Sequence, residues 1–312
     1  MKNIWKTFGL LVLVLLIAAG CSTESPTADS GNEEGESQSS DDTLSIGLSI
    51  STQNNPFFVS LKEGAEAAAE EASVELTTVD AQDDPAKQVS DIEDLITQEV
   101  DLLLINPTDS AAITSAIESA NKADIPVITV DRSAEGGEVV AHIASDNVKG
   151  GEMAAEFIVE QLGGKGKVVE LQGIPGSSAA NERGKGFHNI VDNESGIEVV
   201  ASQTANFNRA EGLSVMENII QSTSDFQAVF AHNDEMALGA LEALSAAGME
   251  DVVVVGFDAT DDAKAAVEEG RMAATIAQQP KLIGEKGVET AIKVFEGETV
   301  EEFIPVELSL VK

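Results

Sequence analysis

Five short apolar segments of the chain each end on a side chain that carries an amide or a carboxylate. These side chains belong to Asn106, Asp131, Asn233, Asp258 and Gln278. Open parallel sheets bind ligands outside the carboxyl ends of their strands, so residues in this position can meet at one edge of a sheet. Any one of them is also typical of a helix cap or an Asx turn. Five together favour a polar pocket.

Two arginines complement these acceptors. Arg132 directly follows Asp131, and Arg183 lies just after the loop GIPGSS, although the whole chain has only 18 lysines and arginines. A guanidinium donates paired hydrogen bonds, a carboxylate accepts them, and a side-chain amide does both. Vicinal hydroxyl groups require this set of donors and acceptors.

Three phenylalanines accompany the polar residues. Phe57 and Phe58 follow Asn55 and Pro56, and Phe207 lies in the loop after the run IEVVAS. Asn55 and Pro56 are typical of an N-cap and a first helical residue, which does not explain two consecutive aromatic rings at such a junction. Aromatic faces against the C–H face of a sugar ring would explain them, and packing between elements is the alternative.

Ten β-branched runs alternate with Ala- and Glu-rich segments of helical period, and this pattern predicts the elements that position the pocket. The runs cover 43–50, 74–79, 101–106, 126–131, 139–144, 167–172, 197–202, 226–231, 251–258 and 272–277. Apolar strands alternating with helices indicate parallel sheets covered on both faces, an α/β fold. Ten runs are many for one sheet, so we expect two similar lobes, each a doubly wound parallel sheet flanked by helices.

The charge and composition exclude several functions. With 18 Lys+Arg against 55 Asp+Glu the formal net charge is -37, which argues against a nucleic-acid partner. The single cysteine excludes a disulfide framework and a multi-cysteine metal site. We therefore predict no cofactor and no metal.

Catalysis is the competing hypothesis from another class. Asp131 with Asp258 could form a glycosidase pair, and Ser177 or Ser178 could be a nucleophile. Against this, the three histidines lie in no nucleophile motif, nothing matches GxSxG or HExxH, and GGKGK at 163–167 lacks Walker A spacing. The sequence favours a binding protein and not an enzyme.

The first 42 residues predict export and anchoring. Positive charge at Lys2 and Lys6, an apolar run from Phe8 to Ala19, and Cys21 after small residues resemble the signal and lipobox of bacterial lipoproteins. The resemblance implies a signal peptide over 1–20 and lipid on Cys21, which would hold the protein at the outer face of the cytoplasmic membrane. Residues 21–42 are acidic and nearly devoid of apolar side chains, which indicates a flexible tether. A retained membrane anchor is the alternative.

Several blocks of the chain resemble the ribose-binding proteins of bacterial ABC importers, within the type I periplasmic sugar-binding family. The blocks are QNNPFFVSLKEGA, LLINPTDS, PVITVDR, HIASDNVKGG, ELQGIPGSSAANERG, VFAHNDEMALGAL, VVVVGFD and AATIAQQP. The resemblance covers 43–312 and implies two lobes joined by three crossings, near Ser145, Gln278 and Pro305. It assigns 43–145 with 279–305 to one lobe, and 146–278 with 306–312 to the other.

The resemblance also implies a site and a mechanism. It places ligand contacts at Asn55, Phe57, Phe58, Asn106, Asp131, Arg132, Ser145, Ile174, Arg183, Phe207, Asn233, Asp258 and Gln278, with Ile174 only packing. The implied function is capture of D-ribose by a monomer that closes its lobes and delivers the sugar to a membrane permease. Allose, another pentose or a furanosyl signal molecule are alternative ligands. His232 stands where the family would have Gln. A transcription regulator with the same two-lobed domain is a further alternative. It would need a DNA-binding module at the N-terminus, where the sequence instead predicts a signal peptide.

Overall fold

The computed structural model describes residues 43–312, which form one unit of alternating strands and helices. The strands are β1 (Ser45–Ile50), β2 (Glu75–Asp80), β3 (Leu102–Ile105), β4 (Val127–Val130), β5 (Ala141–Ser145), β6 (Gly166–Gln172), β7 (Ile197–Thr204), β8 (Ala228–Ala231), β9 (Val253–Asp258), β10 (Ala274–Ala277), β11 (Phe303–Val306) and β12 (Ser309–Val311). The predicted signal peptide, Cys21 and the tether lie outside the described residues.

Helices follow most of the strands, as the alternating pattern predicts. They are α1 (Pro56–Ala72), α2 (Pro85–Thr97), α3 (Thr114–Lys122), α4 (Asn147–Gln161), α5 (Ser178–Val191), α6 (Arg209–Ser222), α7 (Asp234–Ala246), α8 (Asp261–Glu268) and α9 (Pro280–Phe295). Gly248 lies two residues after the end of α7 with a φ of 69°, a conformation that suits glycine at a helix C-terminus. Within 43–312, none of these helices is long and apolar enough to span a bilayer.

The strands form two six-stranded sheets, which confirms the expected α/β fold of two lobes. The first lobe has the order β11-β5-β4-β3-β1-β2 and the second lobe the order β12-β10-β9-β8-β6-β7. Helices cover both faces, so β3, β4 and β8 are buried along their whole length. In each lobe the strand order reverses beside the first strand, which creates the crevice where such sheets bind ligands.

The last two strands were not predicted, and one of them departs from the parallel arrangement. β11 contains Pro305, which an edge strand tolerates because one side of the strand donates no ladder hydrogen bonds. β12 has only three residues and runs antiparallel to β10. The proline and partial exposure of β11 and the length of β12 leave neither strand a clear apolar run in the sequence.

The chain passes between the two sheets three times: after Ser145, after Ala277 and after Val306. The second passage leads into α9, which returns to the first lobe and packs on α1. Gly64 and Gly284 permit this contact, because a Cβ at either position would overlap the backbone of the other helix. Three neighbouring passages are the geometry of a hinge, along which two lobes can rotate with little internal repacking.

Candidate functional site

The polar strand ends of both lobes converge on one small cavity between the lobes. It is lined by Asn55, Phe57, Phe58, Asp131, Arg132, Ala179, Arg183, Phe207, Asn233 and Asp258. Its volume is about 10 Å³, close to the minimum that holds one water molecule. The lobes are therefore closed on each other at this point, and anything larger than a water molecule requires them to part.

The first lobe supplies a buried ion pair from two consecutive residues. Arg132 Nε lies 3.7 Å from Asp131 Oδ2, and both side chains are 3% exposed. Arg132 also donates from Nη1 to the Pro107 carbonyl at 3.2 Å. Asn106 donates to Asp131 Oδ2 at 3.2 Å and accepts from the Ser51 N–H at 3.1 Å, so it orients the carboxylate.

The second lobe supplies an ion pair from two separate elements. Arg183, on α5, places Nη1 3.7 Å from Oδ1 of Asp258, the last residue of β9. Arg183 also donates to the Asn147 side chain at 2.9 Å and to the His232 carbonyl at 2.6 Å. Its guanidinium carbon lies 3.8 Å from the centre of the Phe257 ring, a cation–π contact. Gln278 donates to Asp258 Oδ1 at 2.9 Å.

Both aspartates have a backbone conformation that L-residues seldom adopt. The φ angle is 64° at Asp131 and 120° at Asp258. Such conformations cost about 1–3 kcal/mol each and persist only where the surrounding structure enforces them. In both lobes this strain turns a carboxylate from the end of a strand into the cavity.

Burial dominates the protonation of the two ion pairs. It raises the pKa of Asp131, although Arg132 and Arg183 oppose this, and it raises the pKa of Asp258, which Arg183 opposes. Burial likewise lowers the pKa of Arg132 and of Arg183, against the attraction of the aspartates. Four ionisable groups in so small a space are stabilised mainly by one another, because water is excluded.

Two of the three predicted aromatic residues, Phe58 and Phe207, contact the Arg132 guanidinium. Its carbon lies 4.9 Å from the centre of the Phe58 ring and 5.2 Å from that of Phe207, so the guanidinium contacts an aromatic ring of each lobe. Phe57 and Phe58 meet edge to face at 84°. Because these two rings are nearly perpendicular, only one of them can lie flat against a planar ligand bound in the cavity.

Two of the predicted amides are also helix caps. Asn55 accepts from the Phe57 N–H at 2.9 Å, and Asn233 accepts from the Met236 N–H at 3.0 Å. The Asn233 amide also donates to the Phe207 carbonyl at 3.2 Å. Capping and lining the cavity are compatible, since the cap uses only the side-chain oxygen.

The remaining predicted residues lie around the cavity and do not line it. Asn106 is beneath Asp131, and Gln278 faces a larger cavity of about 790 Å³ on the hinge side. Ile174 borders a cavity of about 300 Å³ together with Phe58 and Phe207. Ser145, at the first passage, is buried with its hydroxyl directed to no protein partner.

Four buried polar atoms of these residues have no hydrogen-bond partner in the protein. They are Asp131 Oδ1, Arg132 Nε, Ser145 Oγ and Gln278 Oε1. A buried polar atom without a partner costs about 1–3 kcal/mol, so each of them favours a ligand that supplies the missing bond. Two are acceptors, one is a donor, and the serine hydroxyl can be either.

Sequence reasoning missed the residues that hold the arginines. Asn147 begins α4 beside the exposed cap Asp146, and residue type alone does not tell which of the two faces inward. The carbonyls of Pro107 and His232 are invisible in a sequence, because every residue has one. Ala179 lines the cavity through its small size and carries no chemical signal.

Hydrogen bonds also join the lobes outside the cavity. The Ser133 N–H donates to Ser178 Oγ at 2.9 Å, the Ser178 N–H donates to Ser110 Oγ at 3.2 Å, and the Ser110 N–H donates to the Gly176 carbonyl at 2.9 Å. Ser110 and Ser133 belong to the first lobe, Gly176 and Ser178 to the second. We call these three bonds the interlobe clasp. Across the described residues 43–312, no cluster of side chains is suited to hold a metal ion.

Two hinged α/β lobes with a polar cleft at their strand ends define a protein that closes around a small ligand. The family model of the periplasmic binding protein domain matches residues 46–299, and the chain belongs to this family. The resemblance inferred from the sequence is thereby confirmed.

Within this family, the chain is similar to sugar-binding proteins of import systems. The chain is 52% identical over 305 residues to the ribose import binding protein RbsB of Bacillus subtilis (strain 168), with 96% of each chain covered. It is 55% identical over 266 residues to RbsB of Escherichia coli (strain K12), covering 85% of this chain and 90% of the relative. The solute-binding protein of Actinobacillus succinogenes 130z, solved with bound D-allose, matches with a TM-score of 0.82 and 31% identity, over 86% of this chain and 98% of that one.

Proposed function

We propose that the protein captures D-ribose between its lobes, outside the cytoplasm, and delivers it to the permease of an ABC importer. It is a homologue of ribose import binding proteins. The role of these relatives is compatible with every element of the cleft described above. The sugar is held without covalent chemistry, so the protein acts as a receptor.

The unpartnered atoms in and around the cleft carry this proposal. Hydroxyls of a sugar can donate to Asp131 Oδ1 and Gln278 Oε1, and they can accept from Arg132 Nε. A hydroxyl is both donor and acceptor, so neighbouring hydroxyls can serve both kinds of atom at once. An analogue that lacks one hydroxyl would leave a buried atom unpaired, which makes the site selective by about 1–3 kcal/mol per missing group.

Phe58 and Phe207 explain how the apolar side of a sugar is recognised. Phe58 and Phe207 both contact the Arg132 guanidinium and come from different lobes. A sugar ring, which has C–H faces, fits the same space beside the two phenylalanine rings. Binding then requires the lobes to open, the guanidinium to move toward the ring hydroxyls, and the lobes to close again with Phe58 and Phe207 on the two faces.

Calorimetry with a panel of sugars tests the ligand. The full-length protein in detergent is titrated with D-ribose, D-allose, D-xylose, L-arabinose and D-galactose, and the thermal unfolding midpoint is measured with each. We expect D-ribose to give the largest heat and shift. D-allose is the alternative with structural support, since a neighbour binds it. Heat with D-allose and none with D-ribose would assign the site to the hexose.

The anchor is a separate part of the proposal. We infer that lipid on Cys21 holds the protein at the outer face of the cytoplasmic membrane, as a monomer that reaches the permease through its tether. The Cys21→Ser variant should then appear in the culture medium or periplasmic fraction. Unchanged retention in the membrane fraction would contradict lipid attachment at this residue.

A further inference from the structure

A buried glutamate–histidine pair lies under the second lobe's half of the cleft. Glu170 is on β6 and His232 follows β8, and their side chains are 0% and 1% exposed. His232 Nε2 lies 3.0 Å from Glu170 Oε1. Neither side chain lines the small cavity, so any effect of this pair on a ligand passes through other residues.

The surroundings of His232 determine which ring nitrogen carries the proton. The Gly173 N–H lies 3.3 Å from Nδ1. A backbone N–H can only donate, so Nδ1 must be the acceptor and the proton must be on Nε2, where it faces the Glu170 carboxylate. One neutral tautomer satisfies both contacts, and the other would set two donors against each other at Gly173.

Glu170 is held ionised by several donors. Ser202 Oγ donates to Oε2 at 2.5 Å and Gln172 Nε2 donates to the same oxygen at 3.0 Å, while His188 Nε2 lies 3.5 Å away. Burial alone would raise the pKa of Glu170, but the hydrogen bonds from His232 and Ser202 bring it down to about 2. Burial lowers the pKa of His232. A carboxylate therefore faces a neutral imidazole near neutral pH.

His232 supports two residues of the cleft. Its carbonyl accepts the 2.6 Å hydrogen bond from Arg183 Nη1. Its ring holds the backbone of Gly173, and the Phe207 ring rests so closely on Gly173 that a Cβ there would overlap the ring. One residue thus links the position of a guanidinium, through its carbonyl, to the position of an aromatic ring, through its side chain.

We propose that Glu170 and His232 are positioning residues for the sugar site. Glu170, together with the Gly173 N–H, fixes the Nε2–H tautomer of His232, whose carbonyl holds Arg183 and whose ring holds the backbone beneath Phe207. The proposal rests on the proposed function, because the site that these residues position is the sugar site. Neither residue touches the sugar.

Three variants and one control test the proposal by D-ribose calorimetry on the full-length protein. Glu170→Gln places an NH₂ group against either the His232 N–H or the donors Ser202 and Gln172, and His232→Leu removes both ring contacts. Each should weaken D-ribose binding about tenfold. His232→Gln keeps an N–H donor near the Nε2 position and has no tautomer to select, so it should bind within about threefold of wild type.

The control is His142→Gln. His142 is a largely buried histidine on β5 that contacts Thr129 Oγ1 at 2.9 Å within the first lobe. Its replacement should leave D-ribose affinity unchanged. Thermal unfolding of every variant without sugar identifies the temperature range in which it is folded, and the titrations are made there, so a loss of affinity is not a loss of folded protein.

Nitrogen-15 NMR of the imidazole rings provides a readout that a merely structural role would not move. The chain has three histidines, so His142→Gln and His232→Gln assign the signals. We expect neutral Nε2–H for His232 in the wild type, and a shift toward Nδ1–H in Glu170→Gln. An Nδ1–H tautomer in the wild type, or an unchanged tautomer in Glu170→Gln, would overturn the proposal.

Wild-type affinity in Glu170→Gln and His232→Leu would overturn it as well. Failure of the proposed function is a different result: the wild type itself would then give no heat with D-ribose. The tautomer is measured without sugar. It therefore tests whether Glu170 positions His232 even if the wild type does not bind D-ribose.

Discussion

The two halves of the cleft each contain a buried arginine–aspartate pair with a 3.7 Å contact, but the surrounding protein treats the two pairs differently. In the first lobe, Asp131 Oδ1 and Arg132 Nε have no protein partner. In the second lobe, Arg183 donates to Asn147 and to the His232 carbonyl, and Asp258 accepts from Gln278. The first pair therefore keeps hydrogen-bonding capacity for a ligand, and the second uses much of its own to stay in place.

This difference indicates a division of labour in closure. A rigid half provides a preformed surface, and preformed surfaces lose less conformational entropy when a ligand binds. A half with unsatisfied atoms gains hydrogen bonds only when the ligand arrives. Substitutions in the first half should then affect mainly affinity, and substitutions in the second half should affect both affinity and stability.

The largest effect is expected from Arg132→Lys. Lysine lacks the planar guanidinium that fits between Phe58 and Phe207, and it loses the Nε donor. We expect D-ribose affinity to fall at least about 100-fold, because disturbing a buried charge pair costs about 2–5 kcal/mol in binding. Calorimetry measures the affinity. Denaturant unfolding without sugar should show a smaller loss of stability than Arg183→Lys, because Arg132 makes one hydrogen bond to the protein, to the Pro107 carbonyl, and Arg183 makes two.

The exposed Arg271, which pairs with Glu269, offers the matched control. Arg271→Lys should alter neither affinity nor stability. If Arg132→Lys lowered the stability of the sugar-free protein as much as it lowered affinity, the first half would be braced like the second and the comparison would be wrong.

Arg183→Lys should have a smaller effect on affinity and a larger one on stability. The substitution breaks the bonds to the Asn147 side chain and to the His232 carbonyl and leaves both acceptors buried without a donor. We expect sugar-free stability to fall by about 1–3 kcal/mol and affinity to fall about tenfold. Denaturant unfolding and calorimetry report the two quantities separately, and unchanged stability would contradict the bracing.

The sequence could predict the first half of the cleft more fully than the second. Asp131 and Arg132 are consecutive and follow a strand, so topology places both of them at the ligand edge. Arg183 could be found only as an isolated arginine after a loop. Its partners are a side chain from α4 and a backbone carbonyl, and they come together through the packing of α4 on α5, where Gly151 and Gly186 allow the two backbones to approach closely. Residue type records neither the approach nor the direction of a carbonyl.

The caps show a different limit of sequence reasoning. Asn55 and Asn233 satisfy a local rule for helix initiation, and they also line the cavity. Helix capping and lining the cavity are alternative explanations for these residues in the sequence. Both hold in the folded chain, because a side-chain amide has separate donor and acceptor groups. β11 and β12 show a third limit, since a partly exposed strand with a proline and a three-residue strand form only through pairing with residues distant in sequence.

Acid should weaken sugar binding by a moderate amount. Burial raises the pKa of Asp131 and Asp258, so protonation begins above the ordinary aspartate value of about 3.9. In the sugar-free protein such raised pKa values contribute stability that is present below about pH 3.9 and is lost as pH rises through the folded-state value. Binding has the opposite sign, because only the ionised carboxylates accept from hydroxyls without also competing as donors.

We expect D-ribose affinity to fall about threefold between pH 7 and pH 5, measured by calorimetry in buffers of different ionisation enthalpy to count the protons. Two arginines oppose the raised pKa of Asp131, whereas only one, Arg183, opposes that of Asp258, and the neighbouring carboxylates Asp234 and Asp131 raise it further. Asp258→Asn should therefore remove more of the pH dependence than Asp131→Asn. If D-ribose affinity depended on pH equally in the two variants, the two halves of the cleft would not differ in this electrostatic property.

An equally small effect is expected in the interlobe clasp, which belongs to neither half. Ser178→Ala removes the acceptor of the Ser133 N–H and leaves the other two bonds of the clasp intact. The lost bond exists only when the lobes are closed, so its removal favours the open form by about 0.5–1.5 kcal/mol. When the open form already dominates without sugar, this difference appears in the affinity, and we expect about a threefold loss.

Small-angle scattering distinguishes this effect from damage to the pocket. The radius of gyration of the sugar-bound protein should be the same in Ser178→Ala and wild type, because the bound state is closed in both. Ser222→Ala is the control, since the Ser222 hydroxyl donates to the Ile219 carbonyl within α6 and contacts no other lobe. A sugar-bound form that is more open in Ser178→Ala would mean that the clasp holds the lobes shut, and that the two charged pairs with their ligand do not suffice to close them.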